Sequence, residues 1–178
     1  MIDKIVLAGF GGQGVLFLGK ILAYAGMLDE REICWIPSYG PEMRGGTANC
    51  SVIISDDEIN STVLEYADAG IVLNQPAYEK FLPFIKVGGT LVVNSSTVDT
   101  TNTRQDIQVI HVPAGDVAKE LGNPSLGNMV CLGALLNHLK TTNLVSIQKA
   151  VDKVVGKTKF QLCQRNLAAV EKGLTYQC

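Results

Sequence analysis

The 178-residue sequence predicts a single α/β domain, a mainly parallel sheet covered by helices on both faces. Three observations carry that expectation. Short apolar runs bounded by glycine or polar turns recur along the chain, and stretches with helical spacing alternate with them. Apolar residues make up 47% of the chain and charged residues 18%, enough core material to bury a sheet on both sides. The charged share lies below the usual ~25%, which also fits a surface that a partner covers.

Ile5-Val6-Leu7-Ala8 reads as a buried first strand, residues 9–14 as a turn, and residues 15–25 as a helix facing the sheet, with Gly26 as its stop. Ile33-Cys34-Trp35-Ile36 is the second strand, followed by a loop over residues 37–46 rich in turn-forming residues. In residues 47–54, Ala48, Cys50, Val52 and Ile54 share one face of a strand, and a turn at 55–58 leads to a short partner near 59–62. Residues 69–73 form another buried strand, residues 77–85 a helix that Pro83 strains near its end, and Gly88-Gly89 a turn before a strand at 90–93. Residues 99–106 make a polar excursion, 107–112 a last strand and 115–121 a short helix. The segment 128–139 is helical and apolar nearly all round, and amphipathic helices follow near 145–154 and 161–172.

Several function classes drop out. Net charge is −2 with no Lys/Arg block, so no electrostatic footprint for nucleic acid exists. The amino terminus lacks the pattern of a signal peptide, and no apolar run reaches the ~18–20 residues of a membrane span; the expectation is a soluble, cytoplasmic chain without membrane contact. The five cysteines (Cys34, Cys50, Cys131, Cys163 and Cys178) form no Cys-x-x-Cys pair, so neither a local iron–sulfur cluster nor a four-cysteine zinc site is expected. His111 and His138 are solitary and read as ordinary imidazoles. Ser95-Ser96 lacks a nucleophile-elbow context, and Asp3, Asp68 and Asp116 are too dispersed for a metal cluster.

Gly9-Phe10-Gly11-Gly12-Gln13-Gly14 satisfies G-x-G-x-x-G directly between a strand and a helix, which points to a Rossmann-like start. Gly9 suits a tight turn, Gly11 close approach of a ligand and Gly14 close helix–strand packing, while the helix start attracts an anion. The acidic residue that should close the second strand and hold a ribose hydroxyl is missing there. Asp29, Glu30 and Glu32 lie before that strand. The motif therefore leaves two readings open: strand–helix packing alone, or contact with an anion. In a doubly wound sheet, residues 9–14, 37–46, 74–75 and 94–97 are expected to open onto one crevice. The second of these contributes Ser38, Tyr39, Glu42 and Arg44. Arg44 is placed either to fork onto a carboxylate or phosphate or to pair with Glu42, and Tyr39 either packs or binds.

Ala8-Gly9-Phe10-Gly11-Gly12-Gln13-Gly14-Val15, joined to Ser38-Tyr39-Gly40-Pro41-Glu42-Met43-Arg44-Gly45-Gly46-Thr47-Ala48, resembles the gamma subunits of 2-oxoacid:ferredoxin oxidoreductases. Pro113-Ala114-Gly115 and the stretch from Asn128 to Leu136 resemble them too, so the likeness covers essentially the whole chain, residues 1–178, as one gamma domain. The resemblance implies a non-catalytic subunit that assists assembly and docks coenzyme A as co-substrate. It implies that thiamine diphosphate, Mg and the iron–sulfur clusters reside on the alpha, beta and ferredoxin-like delta subunits, that electrons pass to ferredoxin, and that no cofactor is bound by this chain alone. The Ser-Tyr-Gly-Pro-Glu-Met-Arg form is closest to the 2-oxoglutarate type, with pyruvate and 2-oxoisovalerate as the other candidates. The resemblance carries over Gly9, Gly11, Gly12, Gln13 and Gly14 as the interface-side loop and Ser38, Tyr39, Gly40, Glu42, Arg44, Gly45 and Gly46 as the ligand-side loop, together the candidate cofactor-binding residues. A self-sufficient dinucleotide oxidoreductase and a free-standing small-ligand module are the rival readings, and a twofold homodimer is the default state of the isolated chain.

Overall fold

In the computed structural model, which describes residues 1–40, 46–100, 104–156 and 158–177, the first apolar run extends into a strand, β1, Ile2–Phe10. It is followed by α1 (Val15–Leu28), β2 (Glu32–Tyr39), β3 (Thr47–Ser55) and β4 (Ala67–Val72). Then come α2 (Gln75–Phe81), a 3-10 turn (Leu82–Phe84), β5 (Ile85–Asn94), β6 (Gln108–Val112) and α3 (Ala114–Glu120). A second 3-10 turn (Pro124–Leu126) leads into α4 (Gly127–Leu136), α5 (Leu144–Val155) and α6 (Phe160–Gly173).

The six strands lie in the order β2-β3-β1-β4-β5-β6. β1, β4, β5 and β6 pair in parallel, whereas β3 runs antiparallel to both β1 and β2. β2 therefore points the same way as β1, and their carboxyl ends share one edge of the sheet. The parallel strands read as continuous apolar runs because both faces are covered. Ile5 and Leu7 enter the larger core with α1, while Val6 and Ala8 enter a smaller one with Ala77 and Tyr78 of α2. The two covers are unequal: α1, α3, α4, α5 and α6 supply the larger core, and α2 with its 3-10 turn the smaller.

The alternation in β3 is as expected, with Ala48, Cys50, Val52 and Ile54 all buried in the larger core. α4 is buried along its whole length, and it crosses α6 where glycine faces backbone. A Cβ on Gly133 would run into the Val170 carbonyl, and one on Gly173 into that of Val130. Asp3 is 2% exposed, and its Oδ2 accepts the N–H groups of Lys140 and Thr141, both at 2.7 Å, and the Thr141 hydroxyl at 2.6 Å.

Four local expectations need correction. α1 does not stop at Gly26, which is buried inside the helix where a Cβ would press on Ile33 and Ile54; the chain leaves the helix at Asp29. Pro37, Ser38 and Tyr39 belong to β2 rather than to the following loop, since pairing with Cys50, Asn49 and Ala48 of β3 outweighs their turn preference. Residues 59–62 form no strand, because β3 already pairs with β1 and β2 on its two edges. Gly88 and Gly89 lie within β5, where the register against β4 shifts between Ala67 and Ala69, so the glycine pair serves an irregular strand and not a turn between elements.

Candidate functional site

The glycine loop follows the carboxyl end of β1, beside the point where the sheet order reverses between β1 and β4. It is pinned from three sides. The Gln13 Oε1 accepts the Phe10 N–H at 2.7 Å and the Asn74 amide at 3.3 Å, and Gln13 Nε2 donates to the Leu73 carbonyl at 3.1 Å. Gly9 lies directly under this side chain, where a Cβ would come within 2.6 Å of Gln13 Oε1. The Gly11 N–H donates to the Gly46 carbonyl at 2.8 Å, tying the loop to the approach to β3. At the start of α1, Gly14 adopts φ 77°, and its carbonyl accepts the Asn128 amide from the first turn of α4 at 3.3 Å. A Cβ there would collide with that amide, so conformation and close approach both require glycine.

Two hollows flank the loop. One, of about 240 Å³, is mainly apolar and lies between Phe10, Leu16, Phe17, Tyr39 and the glycine backbone. The other, of about 340 Å³, is the switch-point crevice, bordered by Gly12, Gln13, Leu73, Asn94, Thr97 and Asn128. Its floor is rigid: Thr97 Oγ1 donates to the Leu73 carbonyl at 2.9 Å, and Ser96 Oγ accepts the N–H groups of Gly115 and Asp116 at 3.1 and 3.3 Å, capping α3. The N–H groups of Gly12, Gly14 and the first turn of α1 meet no acceptor among the described residues. Such a helix start carries partial positive charge and suits an anion.

The expected single crevice is therefore divided. Residues 9–14, the end of β4 and residues 94–97 meet as anticipated, but Tyr39 borders the apolar hollow on the other side of the glycine loop. β3 lies between β2 and β1, which sets the end of β2 one strand farther from the switch point. Ser38 projects from the face of β2 opposite to Tyr39, beside Asn49. Gly40 donates its N–H to the Thr47 carbonyl at 3.3 Å, and Gly46 contributes its carbonyl. Glu42, Arg44 and Gly45 lie outside the described residues. Asp29, Glu30 and Glu32 stand at the far end of β2 from the glycine loop, so none reaches a ligand there. Gly115, Ser125 and Asn128 join the crevice without having been predicted as site residues. Asn128 had a signal, as a polar side chain opening an otherwise apolar helix.

Nucleophilic chemistry finds no support at the three buried thiols. Burial raises the Cys50 thiol to about 11 and that of Cys131 to about 12, and it also raises Cys163. Among the described residues no three His, Cys, Asp or Glu side chains converge as metal ligands would, and no helix is long and apolar enough to cross a membrane.

The family of pyruvate ferredoxin/flavodoxin oxidoreductases matches residues 4–176. The chain belongs to this family. Within it, the chain is 36% identical over 177 residues to the 2-oxoglutarate synthase subunit KorC of Methanocaldococcus jannaschii, covering 97% of this chain and 92% of that one. It is 34% identical over 172 residues to the ketoisovalerate oxidoreductase subunit VorA of Methanothermobacter thermautotrophicus, covering 96% of this chain but 35% of the relative. The chain thus spans about a third of the length of that relative. Among solved structures, the gamma subunit of a keto/oxoacid ferredoxin oxidoreductase from Geobacter sulfurreducens superposes with a TM-score of 0.81 at 31% identity, over 96% of this chain and 95% of that one. The 2-oxoglutarate:ferredoxin oxidoreductase of Magnetococcus marinus, solved with 2-oxoglutarate, coenzyme A and succinyl-CoA, gives 0.86 at 25% identity, over 97% of this chain and 30% of that one.

Proposed function

We propose that the chain is the gamma subunit of a multisubunit 2-oxoacid:ferredoxin oxidoreductase, itself non-catalytic, and that it helps assemble the complex and docks coenzyme A. The observation that carries this reading is the end-to-end likeness to a gamma subunit, over 96% of this chain and 95% of that one. Alpha, beta and ferredoxin-like delta subunits are the partners. They carry thiamine diphosphate, Mg and the iron–sulfur clusters and hand electrons to ferredoxin, in the cytoplasm. Trp35, Ile36 and Tyr39, exposed on the edge strand β2, suit burial against such partners, or against a second copy when the chain is alone.

Coenzyme A docking draws on the coenzyme bound in the Magnetococcus marinus relative and on the unpaired N–H groups of the glycine loop. In this reading Gly9, Gly11, Gly12, Gln13 and Gly14 are the interface-side element and residues 38–46 the ligand-side element, with Arg44 as its cation. The substrate is 2-oxoglutarate, favoured by the KorC relative, with ketoisovalerate and pyruvate as the alternatives.

Two measurements test the proposal. Affinity purification of the chain from its native cell should bring down subunits carrying thiamine diphosphate and iron–sulfur clusters. In the assembled complex, Arg44→Ala should raise KM for coenzyme A by about tenfold, as expected for loss of one charge-assisted contact. Subunit composition should stay unchanged. An unaltered coenzyme A dependence removes Arg44 from the site, and purification as a lone, redox-active flavoprotein or nicotinamide protein overturns the subunit assignment.

A further inference from the structure

α1 carries one charged side chain, Lys20, in 14 residues, yet it is not covered on every side. Phe17, Lys20, Tyr24 and Met27 follow one another along a single flank, and Met27 is 58% exposed. A helix that is apolar all round calls for a cover all round. This flank stands beside the open edge of β2, and between the two runs a slot of about 430 Å³ lined by Lys20, Tyr24, Met27, Arg31, Ile33 and Trp35.

One wall of the slot is unused backbone. The Gly40 N–H bonds to Thr47, so the odd-numbered residues of β2 turn their N–H and C=O groups outward. Arg31 ends this run on one side, because its N–H is taken by the Gly26 carbonyl at 3.0 Å, and Pro37 ends it on the other by lacking a donor. Ile33 and Trp35 remain between them, enough to pair with a short added strand. Their side chains form the floor. Trp35 is seated on Gly19, where a Cβ would come within 2.6 Å of the indole nitrogen, and that nitrogen donates to the Cys50 thiol. The ring is a rigid platform that stays 36% exposed.

The charges along the slot have one sign. Lys20 has no carboxylate partner among the described residues, only the Tyr24 ring at 6.0 Å. Arg31 is ion-paired with Asp56, but its Nε is left without an acceptor. Glu32, the nearest acid of β2, projects from the opposite face of the strand.

We propose that this slot takes an extended segment of another polypeptide, paired antiparallel with Ile33 and Trp35, its apolar side chains lying over the indole beside Tyr24 and Met27 and a carboxylate reaching Lys20. On the subunit reading, on which the identity of the partner rests, that polypeptide is another subunit of the oxidoreductase. A second copy of the chain is the poorer occupant. Its own open edge brings Pro37 in place of a donor, and Ile33, Trp35, Pro37 and Tyr39 bring no carboxylate to the slot face.

Trp35 is the chain's single tryptophan, so its fluorescence reports the slot directly. The probe is the synthetic peptide Thr-Glu-Thr-Leu-Thr-Leu-Thr-Glu-Thr, which when extended sets both leucines and both carboxylates on one face. Titrated into the full chain at low ionic strength, it should move the Trp35 emission to the blue and saturate. Lys20→Glu, a change at an exposed position, should weaken the peptide by about fivefold or more. N-methylation of both leucines removes the main-chain donors and should abolish binding. Absence of saturation, unchanged affinity in the variant, or equal binding of the methylated peptide overturns the slot. A dimer of the chain that the peptide dissociates makes the occupant a second copy and overturns the partner assignment. In the complex purified from its native cell, amide exchange at Ile33 and Trp35 should slow by about tenfold or more relative to the isolated chain. Equal rates overturn the proposal and leave the subunit reading standing. Recovery of no larger subunits overturns that reading instead, and the peptide titration then decides the slot alone.

Discussion

At the scale of single residues, Gln13 carries more of the site than any glycine around it. Its carboxamide spends both ends inward, on Phe10, Leu73 and Asn74, and so bridges β1 to β4 across the switch point. Gln13→Ala removes those bonds and leaves partly buried groups to find water. A loss of about 2 kcal/mol in denaturant unfolding is expected, with amide exchange at residues 9–14 accelerated before global unfolding. The glycines were legible in the sequence because each answers a local demand of strand, turn and helix. The role of Gln13 was not, because Leu73 and Asn74 lie about 60 residues away and come into reach only when β4 packs beside β1.

At the scale of elements, α4 and α6 cross in close contact, with Gly133 and Gly173 each facing backbone of the other helix. Gly133→Ala has no flexible side chain to displace and must push the helices apart, at a cost of about 3 kcal/mol or more, readable as a lower urea midpoint. Apolar periodicity announced both helices, yet it did not announce how closely they approach. β2 shows the same division. Its apolar content marked a strand, while Pro37 and the polar residues beyond it suggested a loop. Because the Gly40 N–H pairs with Thr47, the odd-numbered residues of β2 turn their N–H groups to the open edge. Pro37 is among them, so its missing donor costs the ladder nothing and discourages another strand from adding there.

At the scale of the whole molecule, Asp3 joins the first strand to the segment between α4 and α5, more than 130 residues onward. A buried carboxylate with three donors on one oxygen holds the first strand against the loop between α4 and α5. Asp3→Ala leaves the Lys140 and Thr141 N–H groups unpaired and should cost about 3 kcal/mol, seen as a lowered melting temperature with a native-like spectrum below it. The unequal cover of the sheet belongs to this scale too. Five helices close one face, whereas α2 and a 3-10 turn serve the other, and the strand β2 at the sheet's edge keeps Trp35 and Ile36 exposed.

By itself the sequence determined the α/β class, six of the helices and strands nearly to the residue, the buried face of β3 and the glycine loop between β1 and α1. These follow from periodicity and turn chemistry, which adjacent residues express together. It also determined that β2 closes on Pro37, Ser38 and Tyr39, with no carboxylate among them. Only the tertiary structure decided that β3 runs antiparallel, that β2 is thereby moved one strand from the switch point, and that Asn94 and Asn128 face one crevice while Tyr39 faces another. Those outcomes depend on which strands become neighbours, and neighbours in a sheet are chosen by connections and packing that no local stretch of sequence contains.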